Sequence, residues 1–384
     1  MDADAIVVGG GLTGLASAIA AARAGLSTIH LAPSGPVDRR TSALMMPSVD
    51  YLQATGLIGA PQDFGQKLSQ IRIIDATPRL LRAPETIFDA SEVGLDAFGW
   101  NFANLRLTEA FQSVIAGLPN LRTLAQPLAQ FQITPDGPIV TLADGSTLRA
   151  PLVIGADGKK SLVRAAAGFR ARENAFTQAA LVCDLELGRP LDGASVEFHY
   201  PNGPFTLVPA GGKRANLVWI DERAALQQAQ QLGKDGLTAV FMEKSQRLFG
   251  AITVATPTFI FPLSTITVDQ AGANGVVLVG EAAHAFPPIG AQGLNLGLRD
   301  VADLSAALSS MDRTQPGWAV DLSDDYAQRR AADLGRTGTV VDTLFRSLLA
   351  EMLPAQALRA GGLWALKLMP ALRKRAFAIG MGER

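Results

Sequence analysis

Ala5-Ile6-Val7-Val8-Gly9-Gly10-Gly11-Leu12-Thr13-Gly14 stands almost at the start of the chain and decides its fold. Four apolar residues in a row, ended by glycine, suit a short strand buried on both faces of a parallel sheet. The alanine-rich stretch 12–24 then reads as a helix closed by Gly25, and residues 27–31 resume as a strand. A β-α-β unit of about thirty residues results. Within it Gly9-x-Gly11-x-x-Gly14 has a physical reading. The first glycine permits a tight turn, the second lets the backbone approach a pyrophosphate, and the third lets the helix pack close on the strand. The helix start adds free N–H groups and partial positive charge. Gly9, Gly11, Leu12, Thr13 and Gly14 are therefore expected to hold a dinucleotide, against the blander reading of a packing turn. One usual part is missing. The acid that grips the adenosine ribose belongs near the end of the second strand, where this chain has His30-Leu31-Ala32-Pro33-Ser34, with no acid before Asp38.

Working outward, 384 residues with 48% hydrophobic and 18% charged content can build a large core, and the length suggests two joined domains. A net charge of −1 gives no general attraction to nucleic acid. Cys183 is the one cysteine, so an intrachain disulfide and a cysteine metal cluster are both excluded. His30, His199 and His284 are too scattered to suggest a local metal site. The acidic start Met1-Asp2-Ala3-Asp4 is unlike a signal peptide, and no apolar run has the length of a membrane span. The expected compartment is the cytoplasm, with the inner face of the membrane as a peripheral alternative.

The middle of the chain changes character. Residues 131–134 and 139–142 alternate around Asp136-Gly137 and read as a hairpin. Residues 195–198, 205–208 and 216–220 are strand-like runs separated by Gly, Pro and Asn, which suggests an antiparallel sheet. Residues 276–279 are again a buried strand, followed by a Gly/Pro-rich loop, a helix from about 294 to 308, and a helical remainder from about 322. The expected class is α/β. A Rossmann-like domain (residues 1–70, 100–170 and 270–384, with C-terminal helices) carries a mostly antiparallel substrate domain (71–99 and 171–269).

Two further motifs lie far along the chain. One is Gly155-Ala156-Asp157-Gly158-x-x-Ser161-x-x-Arg164. The other is Gly280-Glu281-Ala282-Ala283-His284, continuing through Pro287-Pro288-x-Gly290-Ala291-Gln292-Gly293-Leu294-Asn295 to Asp300. Alone, Asp157-Gly158 reads as a solvent turn and Gly280-Glu281 as an ordinary strand-to-helix turn. Taken in order and at this spacing, the three motifs resemble the flavoprotein aromatic hydroxylases of the para-hydroxybenzoate hydroxylase type. Within these the chain is most similar to the FAD-dependent hydroxylases of ubiquinone biosynthesis. Asp38-x-Arg40-x-x-Ala43-Leu44 and Tyr326-x-x-Arg329-Arg330 share that resemblance.

The resemblance implies FAD as cofactor, held by Arg40, Asn104, Asp157, Gly158, Gly280 and Glu281 besides the first glycine motif. Asn104 stands where many relatives carry a flavin-contacting Arg, with Arg106 two residues on. Glu281 replaces the family's usual Asp as acceptor for a ribityl hydroxyl. Gly290, Ala291, Gln292, Gly293, Leu294 and Asn295 would face the flavin pyrimidine edge, and Pro288 with Gly293 would form the flavin-ring loop. Ala291 stands where the family has glycine. The resemblance further implies electrons from NAD(P)H or a redox protein, O2 as co-substrate, a flavin C4a-hydroperoxide, and a small hydrophobic phenolic substrate, a polyprenylated ubiquinone precursor. Membership of a ubiquinone-biosynthesis complex goes with it. Rival readings on the same scaffold are a reductase or dehydrogenase and a non-catalytic flavoprotein subunit. His284 reads as a structural, hydrogen-bonded histidine and Cys183 as a buried small hydrophobe. Finally, basic and apolar residues interleave at 359–377, from Arg359 to Phe377. That pattern suits either a helix lying on an anionic membrane or one packed on the flavin domain.

Overall fold

The computed structural model describes residues 1–78, 82–135, 137–288 and 291–349, with side chains as far as residue 336. Gly290 and the basic, apolar segment beyond 350 lie outside the described residues.

The nucleotide half is built on a six-stranded sheet. Its order is Gly272–Ala273, Val276–Leu278, Leu152–Gly155, Ala5–Val8, Thr28–Leu31, Leu121–Leu124. All neighbours pair in parallel except the first two. Ala5–Val8, Thr28–Leu31, Leu152–Gly155 and Val276–Leu278 are buried at every position, as a sheet covered on both faces requires. Ala18, Ala21 and Ala22 of the first helix (Leu12–Arg23) share this core with Leu304 and Ala307 of a long helix (Gln292–Ser310). Phe131, Val140 and Leu142 of a three-stranded antiparallel sheet join the same core.

The other half is a nine-stranded, mostly antiparallel sheet. Alternation along its strands gives it two different faces. Leu181, Cys183, Leu217, Trp219, Phe198 and Phe205 pack against Leu226 and Phe241 of two helices, Arg223–Gln231 and Gly233–Lys244. The opposite, inner face carries the residues between them. A small sheet of Thr41–Met45, Gly99–Ala103 and Gly65–Leu68 lies between the halves. Asn101 donates from Nδ2 to Asn216 Oδ1 (2.8 Å) and Pro209 O (2.9 Å) on the large sheet.

The α/β class and the C-terminal helices are as expected. Three details differ. Residues 223–231 and 233–244 are helical, where the sequence reading assigned no element within the sheet domain. The long helix begins at Gln292 rather than 294, and the last described helix, Trp318–Leu349, begins before 322.

Candidate flavin site

Gly9, Ala156 and Gly280 follow three strands that are neighbours in the nucleotide sheet, so the three motif turns emerge together at the carboxyl ends of adjacent parallel strands. Backbone bonds tie this edge: Gly9 N to Leu31 O (2.9 Å), Ala156 N to Val8 O (2.7 Å) and Val279 N to Gly155 O (2.9 Å).

The three glycines of the first motif have different surroundings. Gly9 has φ +129°, and a Cβ there would lie 2.1 Å from Ala156 O. One on Gly14 would lie 2.0 Å from Gly9 O. Both positions therefore exclude any side chain. Gly11 has φ −75° and nothing within 4 Å of where a Cβ would stand. Packing gives no reason for glycine at that exposed spot, which is a surface a bulky anion can approach at the helix start. The cradle fits a dinucleotide diphosphate. Thr13 joins the first motif to the third, because a Cβ on Gly280 or on Gly297 would come within 3.0 Å or 2.8 Å of its Oγ1. Behind the turn, buried His30 donates from Nε2 to Gly9 O at 2.9 Å; burial lowers its pKa more than this bond raises it.

The second motif is spent largely inside the protein. Asp157 accepts from Ser161 Oγ and from the N–H groups of Leu162 (2.7 Å) and Val163 (3.2 Å), capping the short helix Leu162–Ala166. Arg164 donates to Ala282 O at 2.8 Å and so ties the second turn to the third. Gly158, at φ +80°, faces open space.

Arg40 and Asn104 come together through Asp38, a partner missed in the sequence. Arg40 grips both Asp38 oxygens at 2.8 Å, and Asn104 Nδ2 donates to Oδ2 at 2.9 Å. Burial pushes the Asp38 carboxyl up, but the bonds from Arg40 and Asn104 outweigh it and hold its pKa low. The bond to Asp38 raises the Arg40 pKa, and the charge of exposed Glu281 adds to this. Arg106 is not part of the cluster; it donates instead to Asp63 O, at 3.4 Å.

The third motif supplies the loop and the long helix. Asn295 is buried, and its amide is taken up by backbone: Met45 N donates to Oδ1 (2.9 Å), while Nδ2 donates to Ala43 O (2.9 Å) and Ala291 O (2.6 Å). It clamps the small sheet to the loop. Ala291 caps the helix in a left-handed conformation, φ 54°, which glycine adopts freely and alanine does not. Pro288 and Gly293 are exposed, Leu294 packs on the core below, and Gln292 is half-buried. Beneath them Asp300 accepts from Gly280 N (2.8 Å) and His284 Nε2 (2.6 Å) and pairs with Arg330 at 2.8 Å. Burial raises the Asp300 pKa, but the charges of His284 and Arg330 together with these bonds hold it below the usual carboxylate range. His284 is thus structural, fully buried under the loop.

Comparisons with known proteins agree with this geometry. The profile of an FAD binding domain matches residues 132–336, more than half of the chain, and another FAD binding domain profile matches residues 4–44. Ubiquinone hydroxylase UbiL of Rhodospirillum rubrum is 30% identical, over 99% of this chain and 90% of that protein. The chain belongs to the FAD-dependent aromatic hydroxylases. This hydroxylase is also 28% identical to 3-demethoxyubiquinol 3-hydroxylase of Escherichia coli, over 98% and 97% of the two chains. Its fold matches PqsL of Pseudomonas aeruginosa, described as a probable FAD-dependent monooxygenase, with TM-score 0.79 at 20% identity over 94% and 99% of the two chains. The hydroxylase is an FAD-dependent monooxygenase.

Proposed function

We propose that this monooxygenase hydroxylates the ring of a polyprenylated phenol on the path to ubiquinone. The observation that carries the reading is the meeting of the three motif turns on one sheet edge, in a chain similar along nearly its whole length to ubiquinone hydroxylases.

Bound FAD supplies the electron transfer and the activation of O2, and the work of the chain is to hold, orient and shield. Gly11 and the N–H groups at the start of Leu12–Arg23 receive the diphosphate. Gly158 leaves room beside the second turn. Arg40 neutralises charge near Glu281, whose exposed carboxylate is an acceptor-only group suited to a ribityl hydroxyl. The amino end of Gln292–Ser310, from Ala291 through Gly293, would set the positive end of the helix dipole beside the pyrimidine edge of a bound ring and favour negative charge there. Asn295 and Asp300 position this loop and the Gly280 turn from behind. Electrons come from NAD(P)H or a redox protein, and the substrate places the enzyme at or near a membrane. Among the described residues no helix is long and apolar enough to cross one.

The test is turnover of polyprenylphenols by purified, FAD-loaded protein under ¹⁸O2. One labelled oxygen in the product is expected. Reduced enzyme that converts the substrate without label would make it a reductase or dehydrogenase instead.

A further inference from the structure

Among the described residues Phe259 and Phe261 are the exposed aromatic rings; the others are buried or half-buried. They are 56% and 44% exposed, stacked with centroids 6.5 Å apart. Their strand, Phe259–Val268, pairs with His284–Ala285 at Ile266 and Thr267, so near the two rings it runs as an edge that no strand among the described residues covers. Exposed aromatic rings on a free edge favour unwanted association, which makes their presence informative.

Register places both rings on the inner face of the large sheet. Phe261 pairs with Ala180 and Phe259 with Val182, and these alternate with Leu181 and Cys183 on the helix-covered face. From Phe259 the cross-strand row continues through Val182, Val218, Thr206 and Glu197. The last four are all half-buried, in contrast to the sealed outer face, and form an open floor. At neighbouring strand spacings of about 4.8 Å, this floor is roughly 19 Å across. It is also graded. One end carries Thr206 and the Glu197–His199 pair, whose Oε2 and Nε2 lie 3.2 Å apart. The other end of the row, Val182 with the two rings, is apolar; Asp184, two residues from Val182 on the same face, accepts from Asn216 Nδ2 at 2.6 Å. The face looks toward the flavin site, because Asn216, two residues from Val218, is bonded to Asn101 of the small sheet that Asn295 clamps to the ring loop.

A floor that is polar at one end, apolar at the other and open at its apolar edge matches an amphiphile with a polar ring and a long hydrocarbon chain. The geometry points to a tail-binding track: the substrate's polyprenyl chain crosses Val218 and Val182 and leaves the protein over Phe259 and Phe261. This assignment rests on the function proposed above and adds where the chain is held. Burying isoprenoid carbon against two rings gives an affinity that grows with chain length until the Phe pair is passed.

The test compares equilibrium binding of a tailless phenol and the same phenol with three prenyl units, using FAD-loaded protein. The wild type is set beside a double variant, Phe259→Ser with Phe261→Ser, and a double Phe→Leu variant. The ratio of the two dissociation constants should fall about tenfold in the serine variant, a loss equal to about 1.4 kcal/mol, and be largely restored by leucine. Both sites are exposed, so melting temperatures report that the variants fold. An unchanged ratio would overturn the track. So would an unchanged ratio with loss of binding to anionic phospholipid vesicles, which would assign the rings to a membrane surface. Because binding is read without turnover, a tail preference with no hydroxylation would leave the track standing and refute the proposed reaction alone.

Discussion

Replacing Gly11 by alanine separates cofactor binding from folding, because the structure gives this glycine no packing role. The added methyl meets nothing within 4 Å, and φ −75° with ψ 172° is ordinary extended backbone for alanine. Alanine is a poorer helix N-cap than glycine by up to about 1 kcal/mol. It also recovers about 0.4–1 kcal/mol by restricting the unfolded chain. The two offset each other, so apo-protein stability should move by less than about 1 kcal/mol. Cofactor affinity should not be spared. A methyl at the point of closest approach keeps a diphosphate from one or two helix N–H groups, and each charge-assisted bond is worth about 1.5–3 kcal/mol. FAD should bind roughly 10- to 100-fold more weakly. Flavin fluorescence titration of apo-protein, beside urea denaturation of the same samples, measures both. The Gly14→Ala variant is the contrast. Its methyl would stand 2.0 Å from Gly9 O, so it should lose about 1–3 kcal/mol or more of stability even without flavin. If Gly11→Ala bound FAD within twofold of wild type, the open face at Gly11 would not be where the cofactor lies.

Asp300→Asn breaks the buried link from Gly280 and His284 to Arg330 and should cost about 3–5 kcal/mol at pH 7 in urea denaturation. Because the folded pKa of Asp300 is depressed, its stabilisation is present above the ordinary carboxylate value of about 3.9. It is lost as pH falls below that toward the folded value, so the variant should show a shallower acid limb. Ala291→Gly removes a left-handed alanine at the start of the long helix and should stabilise the fold by about 1 kcal/mol, read as a raised melting temperature. Burial pushes the Cys183 thiol up to about 12, so native protein at pH 8 should show no fast-reacting thiol and denatured protein one.

What could be read without coordinates was whatever local pattern encodes. Ala5–Val8 and the glycines after it announce strand, turn and helix within ten residues, and the same logic reaches Leu152–Gly155 and Val276–Leu278. Residues 223–244 were legible too, through Leu226 with Ala229 and Leu237 with Phe241 at helical spacing, yet they were passed over amid strands. Other features have no local trace. Thr41–Met45 pairs with Gly99–Ala103 across more than fifty residues, and only that pairing brings Asn104 beside Arg40. The bond from Asn104 to Asp38, 66 residues away, is equally non-local, although Asp38 itself stands two residues from Arg40, and so is Asn295, whose amide is consumed by the backbone of a distant strand and of its own loop. A residue type at the right spacing marks a neighbourhood; whether its polar atoms face a ligand or the protein depends on partners far away in the chain.

The crystal structure of the FAD-loaded enzyme tests the central claim most directly. One flavin per chain is predicted, its diphosphate against residues 9–14, its ribityl chain beside Glu281 and its ring edge at residues 291–293. A flavin bound elsewhere, or density at the glycine turn with the ring directed away from the start of Gln292–Ser310, would contradict the account.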